Sequence, residues 1–226
     1  MKMNEARLFV MRHAESQEDV DKTAYERIVD EDMPLTLRGK EQASSFGRLF
    51  SAQFFQGQSL KMILSPSRRV LETANGIVTG LADSRITWSL ITEKLIVKQS
   101  WGNVTIHNRA EIERERYRIG VLRYNFPGGE GGPETLARFG LFAQKLKYEM
   151  MSNQIENVLI ITHGFEFRLI LKSLLGWTEE YFESLAHPKH CELKRLSFDG
   201  QTCTLLDQMR VHDPLQNPNF IRREGA

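Results

Sequence analysis

The amino-acid sequence predicts an α/β fold of three layers (α/β/α), with a mainly parallel central sheet and an inserted cap region. Three short apolar segments, residues 8–11, 60–64 and 158–161, have the length and the polar boundaries of buried strands. A helical pattern follows each of them, and strands that alternate with helices are typical of a parallel sheet. Since 41% of the 226 residues are hydrophobic, the chain can form one well-buried core, and we expect a single domain over residues 1–226.

The first helix is expected some distance after the first strand. Thr36 has the character of an N-cap, because its hydroxyl can accept a hydrogen bond from a free backbone N–H. Apolar side chains then recur at spacings of three and four residues: Ala43, Phe46, Phe50 and Phe54. This period indicates an amphipathic helix with one face directed to the core.

The second and third helices carry signals at their ends. The second follows S-P-S-R-R, with Ser65 or Ser67 as its cap and Gly76 as its predicted stop. The third follows the last apolar segment and is predicted to run to Gly176. Between about residues 77 and 133 the alternation of strands and helices fades. We therefore predict that this region is the cap insertion over the binding crevice.

Charge and composition exclude several classes of protein. The 30 Lys and Arg residues nearly balance the 29 Asp and Glu residues, so the formal charge of +1 does not indicate a nucleic-acid partner. The arginines of the insertion, Arg116, Arg118 and Arg123, are expected on a solvated helix face.

No apolar run approaches the ~20 residues of a membrane span, and the first residues lack the apolar region of a secretory signal. Because Cys191 and Cys203 form no CxxC pair, we expect a reducing, cytoplasmic environment. Because the apolar runs are short, we expect no membrane partner. The sequence does not address the oligomeric state.

Basic side chains and histidines follow all three predicted strands. The first strand ends in Arg12 and His13, the second in the stretch that contains Arg69, and the third in His163 and Gly164. Because the carboxyl ends of parallel strands meet at one edge of a sheet, we expect these residues to lie close together. Each of these positions alone could be incidental, such as a histidine in a turn or an arginine on a solvated helix. Three matching positions together indicate a binding crevice.

This set of side chains suits a phosphoryl group. Guanidinium groups can pair with phosphate oxygens through two parallel hydrogen bonds. A neutral imidazole can attack phosphorus and form a phosphohistidine, and a second imidazole can hydrogen-bond the transferring oxygens. Backbone N–H groups at helix N-termini add further donors. The sequence thus predicts a small phosphorylated substrate.

Four motifs strengthen this interpretation. They are R-H-A-E-S at residues 12–16, L-T-L-R-G-K-E-Q-A at 35–43, S-P-S-R-R-V-L-E-T-A at 65–74 and I-T-H-G at 161–164. With these motifs in this order, the chain resembles the histidine phosphatase superfamily, in its phosphoglycerate-mutase-like branch. The first motif is similar to the family's R-H-G-E-S, with Ala14 in place of glycine. The later segments W-G-N and F-P-G-G-E resemble those of a subgroup that acts on small phosphomonoesters.

The resemblance implies a role for each matching residue. His13 would be the nucleophile, Arg12 and Arg69 would clamp the phosphate, and His163 would be the second imidazole. The residues expected to contact the phosphate are Arg12, Ser16, Asp19, Arg69, His163 and Gly164. No metal and no cofactor would be required. The implied activity is the hydrolysis of small phosphomonoesters through a phosphohistidine on His13.

Two positions depart from the family's pattern. Asp19 replaces the usual asparagine six residues after the nucleophile, and Lys98 stands where the general-acid glutamate is usual. An ionised carboxylate about 4 Å from a phosphate would cost about 4 kcal/mol per charge pair at an effective dielectric constant of about 20. Two hypotheses follow: Asp19 pairs with Lys98, or it stays protonated and is the general acid. Glu93, Glu130 and Glu134 are the alternative acids.

Other functions remain open from the sequence. A mutase-type phosphotransferase is one alternative, although we find no segment like the R-H-Y-G that resembles true glycolytic mutases. A catalytically impaired phosphate-binding member of the family is another, because Lys98 occupies the general-acid position. His187, His190 and Cys191 do not make a complete zinc pattern. We expect a loop there that leads into a strand at residues 193–198.

Overall fold

The computed structural model describes residues 6–54, 58–82, 86–153 and 155–212, and over these ranges the fold is α/β with a central six-stranded sheet. The strands are β1 (Ala6–Arg12), β2 (Ser59–Leu64), β3 (Thr87–Thr92), β4 (Asn157–Thr162), β5 (Leu193–Phe198) and β6 (Cys203–Leu205). Their order across the sheet is β3-β2-β4-β1-β5-β6. The first four strands in this order are parallel, whereas β5 and β6 pair antiparallel. The predicted α/β fold with a mainly parallel sheet is confirmed.

Helices of varied length connect these strands. They are α1 (Gln17–Val20), α2 (Leu37–Ser51), α3 (Arg68–Gly80), α4 (Arg109–Ile119), α5 (Gly132–Ser152), α6 (Gly164–Leu175) and α7 (Glu179–Ser184). Three short 3₁₀ helices span Lys22–Glu26, Asp30–Asp32 and Lys94–Ile96. The predicted cap is present, since the Thr36 hydroxyl accepts a hydrogen bond from the Gly39 N–H at 2.9 Å. Within the described ranges, no helix has the length and apolar character to cross a membrane.

The strand β1 is buried on both faces. Leu8 and Val10 belong to the core that packs under α5 and α6, while Phe9 and Met11 belong to the core under α2 and α3. Side chains of a strand alternate between the two faces of its sheet, so a strand covered on both faces is a continuous apolar run. Helices on both faces make the three layers that the sequence predicts.

Three parallel strands end at the same edge of the sheet. The register pairs Arg12 of β1 with Thr162 of β4, and Leu64 of β2 with Ile161 of β4. The residues that follow β1, β2 and β4 therefore leave the sheet side by side. This edge is the expected position of a ligand crevice in an α/β sheet.

The predicted bounds of the insertion, residues 77–133, are wrong at the N-terminal side. The helix α3 passes the predicted stop at Gly76 and continues to Gly80, and β3 then joins the central sheet. All six residues of β3 are exposed at the edge of the sheet, so the strand lacks the apolar run that marks a buried strand. The segment outside the sheet and its helical layers is residues 93–131.

This segment, residues 93–131, has packed side chains of its own. The ring of Trp101 stacks on Phe126 with the centroids 4.9 Å apart. Arg116 is buried, with its guanidinium carbon 4.6 Å from the centroid of the Phe165 ring in α6. The prediction of a solvated position is therefore wrong for Arg116, because its guanidinium lies among aromatic rings. The other two arginines of that prediction are exposed, as expected.

Candidate active site

The ends of β1, β2 and β4 bring four of the predicted residues together. Arg12 is the last residue of β1, and His13 donates its backbone N–H to the Thr162 carbonyl at 2.9 Å. His163 is at the N-cap position of α6, and Arg69 is the second residue of α3. The rings of His13 and His163 have centroids 5.2 Å apart in an edge-to-face arrangement. The two imidazoles and the Arg69 guanidinium are buried side by side.

The ring of His13 is held in one orientation. Its Nδ1 lies 2.7 Å from the carbonyl oxygen of Ala14. Because a carbonyl oxygen only accepts hydrogen bonds, Nδ1 carries the hydrogen and Nε2 keeps its lone pair. Burial first, and then the charges of Arg69 and Arg12, hold the pKa of His13 well below its ordinary value. The site thus presents a neutral imidazole with a free Nε2.

His163 takes the opposite tautomer. Its Nδ1 accepts a hydrogen bond from Arg69 Nε at 3.3 Å, so the hydrogen is on Nε2. This Nε2 lies 3.0 Å from the hydroxyl of Ser65 and 3.3 Å from that of Ser67. Burial, Arg69 and His13 all lower the pKa of His163 well below its ordinary value. A second neutral imidazole therefore stands beside the first and is connected to Arg69.

The two terminal nitrogens of Arg69 both contact Asp30. Nη1 donates to the Asp30 carbonyl at 2.5 Å, and Nη2 lies 3.3 and 3.2 Å from the two carboxylate oxygens. Burial opposes the charge of Arg69, but the carboxylates of Asp30 and Glu18 outweigh it and raise its pKa. Asp30 thus takes up the terminal hydrogen-bond donors of Arg69, the arginine that would bind a phosphate.

Arg12 also has a carboxylate partner. Its Nη2 donates to Asp19 Oδ1 at 2.9 Å, and its Nη1 donates to the carbonyl of Pro188 at 2.8 Å. His190 Nε2 lies 3.1 Å from the same Asp19 oxygen. Burial opposes ionisation of Asp19, yet its contacts with His190, Ser16 and Arg12 lower its pKa far below the ordinary value. Asp19 is therefore an ionised carboxylate that neutralises Arg12.

A second polar cluster adjoins Arg69. Lys98 Nζ donates to Asp30 Oδ1 at 2.6 Å and to the Tyr25 hydroxyl at 3.0 Å. The Tyr25 hydroxyl also lies 2.9 Å from Asp30 Oδ1 and in close contact with Glu18 Oε2. Glu18 Oε1 is in turn 3.7 Å from Arg69 Nε. Two carboxylates, one tyrosine and two cations therefore form one connected network beside the histidines.

Ser16 and Gly164 lie beside the four central residues. Both the backbone N–H and the hydroxyl of Ser16 donate to Asp19 Oδ2, at 2.8 and 2.6 Å. Gly164 begins α6, where an added Cβ would overlap the ring of His187. The structure thus places both predicted phosphate contacts at the site, and their contact with a phosphate stays a prediction.

A large cavity opens next to this site. Its volume is about 1210 Å³, and it meets the site at Ser67, which contacts His163, and at Asp30, which contacts Arg69. Residues 93–131 supply much of its wall, including Lys98, Trp101 and Arg109. The guanidinium carbon of Arg109 lies 4.8 Å from the centroid of the Trp101 ring. The cavity has room for an organic group attached to a phosphate held at the site.

A match to a family model shows which superfamily the chain belongs to. The model of the histidine phosphatase superfamily (branch 1) matches residues 8–209. The chain belongs to this superfamily. A phosphoglycerate mutase-like protein of Arabidopsis thaliana is 28% identical over 209 residues, which are 85% of this chain and 74% of that protein.

Solved structures support the same fold. The mycobacterial glucosyl-3-phosphoglycerate phosphatase matches 92% of this chain and 98% of its own, with a TM-score of 0.67 and 16% identity. The phosphoglycerate mutase from Bacillus anthracis matches 90% of this chain and 92% of its own, with a TM-score of 0.68 and 17% identity. At these identities the likeness concerns the fold of a histidine phosphatase and not the substrate.

The first hypothesis about Asp19, a pair with Lys98, is wrong. Asp19 pairs with Arg12 and lies 3.1 Å from His190, while Lys98 pairs with Asp30 and Tyr25. The physical reason is that Arg12 precedes the nucleophile and is nearer to Asp19 than Lys98 is. In the free protein the contacts of Asp19 lower its pKa, and its role as the general acid stays a prediction.

The carboxylate of Glu93 has partners outside the cluster around Arg69. Its carboxylate receives Lys145 Nζ at 2.5 Å and the Leu95 N–H at 2.9 Å, and these contacts lower its pKa although burial opposes them. Glu130 is held by Arg138 at 2.7 Å. Glu134 is exposed at the wall of the cavity. The structure thus gives Glu93 and Glu130 basic partners, and a general-acid role for Glu93, Glu130 or Glu134 stays a prediction.

No role was predicted from the sequence for Glu18, Tyr25 and Asp30. They lie between β1 and α2, where the chain forms a one-turn helix and two short 3₁₀ helices. Such short elements leave no apolar period, so no periodic pattern marks their side chains. The described part of the chain holds no cluster of three or more His, Cys, Asp or Glu side chains that could bind a metal, and this includes the loop with His187 and His190.

Proposed function

We propose that this histidine phosphatase hydrolyses small phosphomonoesters through a phosphohistidine on His13. The observation that carries the proposal is the state of the His13 ring. Its Nδ1–H is bound to the Ala14 carbonyl, which leaves Nε2 with its lone pair, and burial together with the charges of Arg69 and Arg12 keeps the ring neutral by lowering its pKa. A neutral, oriented imidazole next to two guanidinium groups is the arrangement that nucleophilic attack on a phosphoryl group requires.

The first step forms the phosphoenzyme. The phosphoryl oxygens bind Arg12 and Arg69, which exchange their contacts with Asp19 and Asp30 for the substrate. His13 Nε2 then forms a bond to phosphorus as the bond from phosphorus to the leaving oxygen breaks. The guanidinium groups stabilise the charge on the transferring oxygens.

The second step returns His13 to its neutral state. A water molecule attacks phosphorus, the bond from phosphorus to Nε2 breaks, and inorganic phosphate leaves. His163 and the hydroxyls of Ser65 and Ser67 would hydrogen-bond the oxygens in both steps. Their mutual distances of 3.0 and 3.3 Å support a shared role at one group.

A phosphate-binding protein without turnover is the second candidate. The observation in its favour is that Asp30 occupies both terminal nitrogens of Arg69, so a substrate has to displace it. A mutase-type phosphotransferase, the other alternative, differs only in the acceptor of the phosphoryl group. The experiment below separates these functions.

The test is hydrolysis of 4-nitrophenyl phosphate between pH 5 and 8 by wild type and His13→Ala. Its control is His212→Ala, a histidine outside the site. We expect the wild type and the control to release phosphate, and His13→Ala to lose at least about 10³-fold in kcat. Acid-labile phosphate on the peptide that contains residue 13 should appear in the wild type and should be absent from His13→Ala.

Three results would count against the proposal. A folded wild type that binds inorganic phosphate without hydrolysing the ester would favour the binding protein. Transfer of the phosphoryl group to an added alcohol in preference to water would favour the phosphotransferase. Equal turnover by wild type and His13→Ala would exclude the phosphohistidine.

A further inference from the structure

We propose that Asp30 is the proton donor to the leaving group, and that it accepts the proton of the attacking water in the second step. This inference rests on the phosphatase function proposed above. Asp30 opens the 3₁₀ helix Asp30–Asp32, far in sequence from Arg69, Lys98 and His163. Its assignment depends on contacts made only in the folded chain.

The position of Asp30 supports this role. In a bound phosphomonoester, the bridging oxygen lies between the phosphate at His13 and Arg69 and the organic group in the cavity. The Asp30 carboxylate stands at this boundary, because it contacts Arg69 Nη2 at 3.2 Å and also lines the cavity. A group that donates a proton to the leaving oxygen has to be within hydrogen-bond reach of that place.

Three elements hold the carboxylate there. Lys98, after the third 3₁₀ helix, donates to Oδ1 at 2.6 Å. Tyr25, in the first 3₁₀ helix, has its hydroxyl 2.9 Å from the same oxygen. In the free protein Arg69 also reaches both oxygens from α3. When a phosphate takes over Arg69, Lys98 and Tyr25 still hold the carboxylate in its place, as a catalytic group requires.

The hydrogen-bond network around Asp30 can accommodate a proton on its carboxylate. The Tyr25 oxygen carries a single hydrogen, yet it contacts carboxylate oxygens of both Glu18 and Asp30. If Tyr25 donates to Glu18, its two lone pairs can accept from Lys98 Nζ and from a protonated Asp30. A protonated Asp30 would then have the Tyr25 oxygen as the acceptor of its hydrogen bond.

Substrate binding supplies the reason for protonation. Burial alone would raise the pKa of Asp30, but Lys98 and Arg69 outweigh it in the free protein and hold it far below the ordinary value. A bound phosphate adds negative charge next to Asp30 and takes over Arg69, and Glu18 faces the same network with a further negative charge. Like charges close together favour the protonated form of a carboxylate, so the phosphate complex is the state in which Asp30 carries a proton.

The chemical step balances as follows. His13 Nε2 bonds to phosphorus while the ester bond breaks, and the proton of Asp30 moves to the leaving oxygen, which departs as an alcohol. Asp30 is then a carboxylate. In the second step it takes one proton from the attacking water, the bond to Nε2 breaks, and phosphate is released with Asp30 protonated again. No other reactant is required.

The experiment compares Asp30→Asn with Asp32→Asn in the native chain. Asp32 belongs to the same 3₁₀ helix, but it is exposed and does not line the cavity. The substrates are 4-nitrophenyl phosphate, whose leaving group needs little protonation, and an alkyl phosphate, whose leaving group needs a proton. We expect Asp30→Asn to lose about 10²-fold or more in kcat/KM on the alkyl ester and less than about 10-fold on the aryl ester. Asp32→Asn should match the wild type on both.

Lys98→Met provides a second test in which the carboxylate remains. Removing this cation favours the protonated form of Asp30 in the substrate complex, so the alkaline decline of kcat on the alkyl ester should move to higher pH. A merely structural role of Lys98 would lower the rate without moving the profile.

Several outcomes would overturn the inference. A loss of equal size on both esters by active Asp30→Asn, or no loss on either, would mean that Asp30 donates no proton. Faster turnover of both esters with tighter inhibition by inorganic phosphate would mean that Asp30 only competes with the substrate for Arg69. An unshifted profile of Lys98→Met would also contradict it. A folded wild type that hydrolyses neither ester would instead overturn the phosphatase function itself, and the His13→Ala comparison identifies that case.

Discussion

Arg68 and Arg69 are adjacent in α3 and have opposite environments. The side chain of Arg69 is 0% exposed and contacts His163 and Asp30, whereas that of Arg68 is 54% exposed and pairs with Glu72 at 2.7 Å. Their chemistry is the same, and only the side of the helix differs. A helix turns by about 100° per residue, so adjacent residues face different directions.

This pair makes a direct test of the phosphate clamp. We expect Arg69→Lys to lower kcat/KM for phosphomonoesters by about 10²-fold or more, because an ammonium group cannot reproduce the two parallel hydrogen bonds of a guanidinium. Arg68→Lys should remain within about twofold, since an exposed ion pair contributes little. Steady-state kinetics of both variants on 4-nitrophenyl phosphate measure the difference. Equal effects would exclude Arg69 from the clamp.

Asp19 gives a second prediction for a single residue. Its ionised carboxylate binds Arg12 Nη2 at 2.9 Å and would stand close to a bound phosphate. Asp19→Asn removes that negative charge and frees Arg12 Nη2, so we expect inorganic phosphate to inhibit about 10-fold more tightly. The control is Asp21→Asn, where the carboxylate contacts only Thr23 and Arg27 among the interactions described. Unchanged or weaker inhibition would show that Asp19 acts mainly by holding Arg12 in position.

At the scale of elements, α2 and α3 are close because glycines face each other. A Cβ added to Gly47 of α2 would overlap the carbonyl oxygen of Ile77 in α3. Gly76 packs in the same way on Ala43, which explains why it lies inside α3 instead of ending it. Sequence patterns treat a glycine in a helix as a stop, whereas here the absence of a side chain serves helix packing.

Two glycine substitutions separate packing from helix propensity. Gly47→Ala should lower the free energy of unfolding by about 1–3 kcal/mol, because the backbone of α3 would have to move away. Gly140→Ala, in the middle of α5 with no atom within 4 Å of the added Cβ, should raise it by about 0.5–1 kcal/mol. Urea unfolding of both variants and the wild type measures these changes. A stabilising effect of Gly47→Ala would contradict the close packing of α2 on α3.

The whole molecule buries two imidazoles in neutral form. Burial and nearby arginines hold the pKa of His13 and of His163 well below the ordinary value. In the unfolded chain these groups titrate near about pH 6.5. Below that pH the unfolded state binds protons that the folded state does not, so folding becomes less favourable as the pH falls.

The predicted consequence is a stability that falls with pH below about 6.5. Each imidazole that stays neutral in the folded state contributes a slope approaching about 1.4 kcal/mol per pH unit. Asp19 and Asp30 contribute little in this range, because carboxylates are ionised there in both states. Urea unfolding between pH 5 and 7.5 should show the decline, and His163→Gln should reduce its slope by about one imidazole. The same slope in the variant would mean that His163 is protonated in the folded protein.

The sequence by itself determined three neighbouring parallel strands of the sheet and the four central residues. Strands β1, β2 and β4 are largely buried, so each is a mostly apolar run that can be recognised locally, although Lys61 interrupts the run in β2. Since parallel strands end at a common edge, the residues after these runs had to meet there. His13, Arg12, Arg69 and His163 could therefore be placed at one site without coordinates.

Only the tertiary structure decided which charges pair. The contact between Lys98 and Asp30 joins residues 68 positions apart, and that between Arg69 and Asp30 joins residues 39 apart. Electrostatic interactions depend on distances of a few ångströms, and a local pattern does not contain distances between separate elements. For the same reason β3 was not recognised from the sequence. Its place at the exposed edge of the sheet depends on pairing with β2 and not on a pattern of its own residues. The carboxylate that reaches the boundary between phosphate site and cavity comes from a 3₁₀ turn, and folding of the whole chain is what brings it there.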